Sequence, residues 1–373
     1  MPNNHRYPWR GPWLLWGLSF GLTVTAAGQT PPPEDRMKDA IEIGTLSQAP
    51  AVSITNGEIT VRVYLPDAQK GFYRGTRFDW AGVIGSLTYR GHDFYKPWFH
   101  AQLSGVNDFI FQGDTIVASP NTAATGPVEE FNGEGGALGY ADAAAGGAFL
   151  KIGVGVLRRP DTSVYSPFRQ YPIIDLGKRT TSVQPDRVVF THELTDAGSG
   201  YAYRYIKTIR LVRGTGAMMI EHELHNVGTR AIATSVYDHN FLNIDGAGTS
   251  PGLEFTTPFA LVADRPPSPD LVEISEHRLV YRAAPTGEQR ISTGLKGFGP
   301  TAGDYNIHIV DPSHGAGLRI TADQPLQRLA LWSIRPVMAI EPFINMTVEP
   351  GQSFRWSYRY DYEAFPARAI QHP

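Results

Sequence analysis

The stretch Met219-Ile220-Glu221-His222-Glu223-Leu224-His225-Asn226-Val227-Gly228-Thr229, followed by Tyr237-Asp238-His239-Asn240-Phe241, decides the fold class. Apolar and polar residues alternate along the first segment. That is the period of a half-buried β-strand, whose successive side chains point to opposite faces. Asn-Val-Gly-Thr reads as a turn and the second segment as another strand. Together they predict a hairpin that delivers a polar cluster onto a sheet. Glu221, Glu223 and His225 fall on one strand face and His222 on the other. That face reads either as a solvated edge face, the ordinary use of a charged strand surface, or as a metal site built from carboxylate and imidazole.

Outward from this segment the same pattern recurs. Candidate strands run over 59–64, 83–89, 149–157, 187–194, 203–212, 218–226, 232–243, 271–282, 305–310, 329–334, 338–344 and 354–360. The chain has 39 glycines and 29 prolines, spread as turn signals between these segments rather than clustered. More than ten strands with no helical period between them predict an all-β protein, a large two-sheet antiparallel β-sandwich. The exception is 95–146, rich in Gly, Ala and Asn, which reads as a long connection of the kind that carries function.

Residues 1–28 read as an export signal. A basic start (His5, Arg6, Arg10) precedes an apolar run from Trp13 to Val24, and Ala26-Ala27-Gly28 is a small-x-small cleavage pattern. The predicted cut after Gly28 gives a periplasmic or secreted protein with no membrane attachment after cleavage; an uncleaved anchor is the alternative. Residues 29–50, opening with three prolines, read as an extended tether, and 51–365 as one domain. There is no cysteine, so disulfides and lipidation through a thiol are excluded. The net charge is −3 with both signs scattered, which argues against a nucleic-acid partner. Aromatic residues make up 11% of the chain, including seven tryptophans and seventeen tyrosines. They fit either a large core or a surface on which the apolar faces of sugars stack.

Three motifs in order carry a resemblance: the turn Asn226-Val227-Gly228, the strand His239-Asn240-Phe241-Leu242-Asn243, and Ala339-Ile340-Glu341-Pro342-Phe343 followed by Val348-Glu349-Pro350-Gly351-Gln352. On these motifs the chain resembles the aldose 1-epimerase (galactose mutarotase) superfamily, over about Val52 to Tyr362 and most closely from Met218 onward. The resemblance implies the galactose mutarotase-like supersandwich and a carbohydrate ligand. It also implies His239 as the acid that protonates the sugar ring oxygen and Glu341 as the base that takes the proton of the anomeric hydroxyl, with no metal and no organic cofactor. Asn240 and Asn243, in the matching strand, are implied substrate ligands. The chemistry agrees with bare requirements, since opening a hemiacetal needs one proton donor and one acceptor with pKa values near the working pH. Glu341 stands in an apolar strand, where an ionised carboxylate is costly unless it is paired or faces a cleft.

The chain departs from the family in its first half. The usual His-Gly-Gly loop has no counterpart; the comparable region, Thr125-Gly126-Pro127-Val128-Glu129-Glu130-Phe131-Asn132-Gly133, holds two glutamates instead. Glu129 and Glu130 are substrate-binding candidates, of which strand alternation allows only one to face a cleft. Arg77, or Arg74, stands in for the family's arginine, and His100 for its second histidine. Trp80, Tyr73 and Trp98 are candidates to line a cleft, with core filling as their plain alternative. Three readings follow: an isomerase acting at the anomeric carbon, a non-catalytic carbohydrate-binding protein of the same fold, and a hydrolase or lyase pairing Glu129 or Glu130 with Glu341.

Overall fold

A computed structural model describes residues 34–133 and 136–368. Eight strands position the site: β1 (Gly126–Gly133), β2 (Tyr201–Val212), β3 (Ala217–Asn226), β4 (Ile232–Leu242), β5 (Ile291–Lys296), β6 (Arg328–Ile334), β7 (Val337–Val348) and β8 (Ser353–Ala364). A six-stranded sheet has the order Val262–Ala263, β5, β6, β7, β4, β1. A ten-stranded sheet has the order Lys178–Gln184, Arg187–Asp196, β2, β3, β8, Ala316–Ala322, Asn306–Asp311, Glu254–Thr256, Arg278–Tyr281, Val272–Ser275. Neighbouring strands within both sheets are antiparallel. This is the all-β sandwich that the strand pattern predicts.

The inner faces meet in one apolar core, to which Ile209, Ile220 and Tyr358 come from one sheet and Phe131, Val236 and Ile344 from the other. β3 alternates buried and half-buried residues, so the outer face of the large sheet is solvated and carries cross-strand ion pairs such as Arg355 with Glu223. β4 behaves differently: from Val236 to Leu242 every residue is buried. Here the smaller sheet is covered on both faces, because a second apolar cluster that includes Phe78, Trp80, Trp98 and Phe109 packs over its outer side. A space between that covering layer and the sheet surface is shaped by both and lined by charged, polar and apolar side chains together.

Several expectations are corrected. β3 and β4 do not form a hairpin: β3 pairs with β2 and β8, whereas β4 pairs with β7 and β1 in the other sheet. Residues 227–231 are an arch between sheets. The buried Asn226 amide holds it by donating to the carbonyls of Arg230 at 2.8 Å and Val348 at 2.7 Å. Gly228 lets the arch pass, since a Cβ there would stand 2.6 Å from the backbone of Ala202 and of Gly200. Turn chemistry is the same for a hairpin and an arch, and only pairing separates them. β3 is therefore also a central strand, not an edge. Residues 149–157 and 271–282 are each two short strands around a turn rather than one. The tether reading of 29–50 gives way from Ile41 onward: Ile41 pairs with Gln102, and Leu46 and Ala49 are buried. The export-signal reading of residues 1–28 lies outside the described residues.

Candidate functional site

The register of the six-stranded sheet assembles the site. Tyr237 pairs with Phe343 and Asn240 with Ile340, so the same register sets His239 opposite Glu341 across β4 and β7. Continuing sideways, His239 faces Val128 on β1, Glu341 faces Ala330 on β6, and Ala330 faces Gly294 on β5. Cross-strand partners share a sheet face, so Val128, His239, Glu341, Ala330 and Gly294 form one row. Ala330 lacks bulk, so the surface dips beside Glu341, and beyond it the Asp264 side chain lies over Gly294, whose missing Cβ leaves room for it. Flanking rows supply the walls: Tyr237, Phe343 and Arg328 on one side, Phe241, Ala339 and Trp332 on the other. Arg77, Asp108, Phe168 and Arg265 close over the dip to leave a cavity of about 230 Å³, with both His239 and Glu341 in its lining.

Within it, His239 Nε2 lies 3.3 Å from Glu341 Oε1, and the two side chains are 5% and 14% exposed. The imidazole stacks on Phe241 at 3.8 Å and meets the edge of Trp332 at 5.7 Å. Its buried Nδ1 has no hydrogen-bond partner among the described residues. Burial pushes the Glu341 carboxyl up to about 7, against the pull of Arg77 and Arg328. Burial, helped by Arg77, holds the His239 imidazolium well below its usual range. Below neutrality the carboxyl therefore keeps its proton while the imidazole beside it is neutral. Such a pair offers one donor and one acceptor side by side.

Arg77 is aimed into the cavity by a buried cluster on the neighbouring row. Its Nε donates to Glu130 Oε2 at 2.7 Å and its terminal nitrogen to the Tyr237 hydroxyl at 3.0 Å, while that hydroxyl donates to Glu130 Oε2 at 2.5 Å. Lys151 Nζ reaches Glu130 Oε1 at 3.4 Å. Burial alone would raise the Glu130 carboxyl, but Arg77 and Lys151 outweigh it and keep the group ionised.

The predicted site residues are thus divided. His239, Glu341 and Arg77 are brought together. Glu130 lies on the cavity side of β1 yet stops one layer short, behind Arg77. Glu129 is a correction: β1 alternation turns it to the inner face, into an ion pair with Lys207 and a contact of 2.8 Å with His222 Nε2. The alternation argument for the two glutamates holds. The carboxylate-pair reading does not, because neither glutamate shares the cavity with Glu341. Asn240 is likewise inner-facing; it donates to the Ile340 carbonyl at 2.9 Å and sits 2.8 Å from the Tyr360 hydroxyl. Asn243, just beyond β4, is buried and accepts the Gly248 N–H. Trp80, Tyr73 and Trp98 are core filler. The Trp80 indole donates to the Gly75 carbonyl at 2.7 Å, that of Trp98 to the Ala124 carbonyl at 3.0 Å, and the Tyr73 hydroxyl to the Asn121 carbonyl at 3.0 Å. Arg74 bonds the Gln69 carbonyl and His100 the Ile116 N–H, both outside the cavity. Nor do Glu221, Glu223 and His225 form a metal site: among the described residues no group of three or more such side chains could hold an ion.

Sequence reasoning missed Trp332, Phe241, Arg328, Arg265, Asp108 and Phe168. Alternation along Arg328, Ala330 and Trp332 was a usable signal, because a strand that puts Ala330 beside Glu341 puts its i±2 neighbours on the same face. Arg265, Asp108 and Phe168 sit in loops and gave none.

No protein-family model matches the chain, and no curated protein sequence does. Among solved structures the chain is similar to a galactose mutarotase-like protein from Lactobacillus casei, with 14% identity and a TM-score of 0.50 over 84% of this chain and 100% of that one. It is also similar to an aldose epimerase homologue from C. elegans (12% identity, TM-score 0.49, 85% and 99% covered) and to a galactose mutarotase-like protein from Clostridium acetobutylicum (14%, 0.48, 84% and 95%). The sandwich is a galactose mutarotase-like fold, and at such identity the likeness speaks for the fold alone.

Proposed function

We infer that the protein binds a carbohydrate in the cavity on the outer face of the six-stranded sheet and interconverts its anomers, as an aldose 1-epimerase-like isomerase. The observation that carries this reading is the buried pair of Glu341 and His239, 3.3 Å apart in the lining of one cavity. Mutarotation opens the ring by protonating the ring oxygen while the anomeric hydroxyl loses its proton, and closes it by the reverse. The pair holds one proton at every stage. One member gives it to the ring oxygen, the other takes one from the hydroxyl, and ring closure from either face returns the pair to its starting count. His239 as donor and Glu341 as acceptor is the assignment that the resemblance implies. The resting proton on Glu341 favours the converse for the first turnover, and both assignments use the same two groups. Trp332, half-buried in the lining, offers apolar surface for the C–H face of a sugar, Phe241 backs the His239 ring from beneath, and Arg77 offers a fixed donor for a hydroxyl.

Polarimetry on freshly dissolved aldoses and uronic acids tests this. The wild type should speed the approach to anomeric equilibrium. Glu341→Gln and His239→Asn should each lower the rate by about 10²-fold or more while calorimetry still registers binding. Wild-type binding without any acceleration would replace the isomerase by a non-catalytic carbohydrate-binding protein.

A further inference from the structure

We propose that the sugar taken by this cavity is anionic, a uronic acid whose carboxylate is held at the mouth by Arg265 and Arg328. The proposal rests on the carbohydrate reading above and narrows its substrate class. Both arginines line the cavity and are exposed at its rim. Neither is ion-paired among the described residues, unlike other exposed arginines such as Arg278, which pairs with Glu254, and Arg355, which pairs with Glu223. Arg328 is not loose for that reason: its guanidinium lies 4.6 Å over the Phe343 ring, which orients it by a cation–π contact and leaves its donors free. The backbone N–H of Arg265 is anchored on Thr293 Oγ1 at 3.3 Å.

The carboxylates nearby do not cancel these charges. Continuing the β5–β6 register sets Lys296 opposite Arg328, and Lys296 takes Asp264, the residue before Arg265, at 2.5 Å. At the other side of the cavity Asp108 is approached by Arg290 at 3.9 Å and accepts from Thr122 at 3.0 Å. Glu130 is consumed by Arg77 and Lys151. Glu341 is the remaining carboxyl of the lining. The rim therefore presents two guanidinium groups with no ion-pair partner among the described residues, in one lining with the half-buried Trp332 indole. Planar, forked donors of this kind match a carboxylate or a phosphate oxyanion in two parallel hydrogen bonds.

Calorimetry with galactose, galacturonic acid and galactose 6-phosphate at low and high salt tests the proposal on the full chain. Galacturonate should bind about tenfold or more tighter than galactose at low ionic strength, with the advantage shrinking in about 1 M salt. Arg328→Gln and Arg265→Gln should each erode that advantage and together abolish it, while galactose affinity changes less than about twofold. A larger advantage for the phosphate would assign the rim to phosphosugars and overturn the uronate. Equal affinity for all three would overturn the anionic class yet leave the carbohydrate reading standing. No binding of any sugar would instead remove the carbohydrate reading on which the proposal stands.

Discussion

Burial keeps a proton on Glu341 up to about pH 7, well above the ordinary value of 4.5, and this residue is paid for in stability. A carboxyl whose pKa is raised on folding binds its proton more tightly in the folded chain, so stability falls as pH rises through that window and levels off above it. At about 1.4 kcal/mol for each pH unit, the loss is on the order of 3 kcal/mol by pH 8. Glu341→Gln should therefore be close to neutral for stability at pH 4 and stabilising at pH 8, read from urea midpoints at the two pH values. An equal effect at both would show that the carboxyl is not held protonated. The same pair sets the pH dependence of catalysis. With one proton required, the rate should fall above about pH 7 as Glu341 loses it, and fall again only below the usual histidine range, where His239 gains a second. A polarimetric pH profile centred on the alkaline side of 7 would contradict this.

At the scale of elements, β1 serves two functions through alternation: Glu130 backs the cavity and Glu129 ties the two sheets together. Glu129 meets Lys207 of β2 and His222 of β3, and Lys207 also donates to the Ala81 carbonyl at 2.8 Å. Asp238 on β4, beside Glu129 in register, is pushed up by burial and by the Glu129 charge, so it stays protonated. Lysine and glutamate here are both under 2% exposed. Removing one partner strands a buried charge, so Lys207→Met should destabilise by about 3–5 kcal/mol, whereas the double variant Lys207→Met with Glu129→Gln should recover much of that loss. Denaturant melts of the two variants measure the difference, and a double variant no better than the single would show that the cost is packing rather than charge.

Over the whole molecule, export is expected to precede function: N-terminal sequencing of secreted material should begin at Gln29, and an intact Met1 there would overturn the signal reading. His239 and Glu341 were marked by the resemblance of their motifs to a known family; what the sequence determined by itself was the all-β class and the strands with clear alternation, such as Ile59–Tyr64 and β3. These are local properties, written in the period of side chains along one segment. Tertiary structure alone decided that β3 and β4 belong to different sheets, that Gly126–Gly133 is the edge strand of the six-stranded sheet, a position that tolerates its proline, and that Asn240, Glu129 and Trp80 face away from the cavity. Each of those outcomes depends on which distant strand supplies the partner and which layer covers the face. A one-residue change of register or a different cover would reverse them without altering any local pattern.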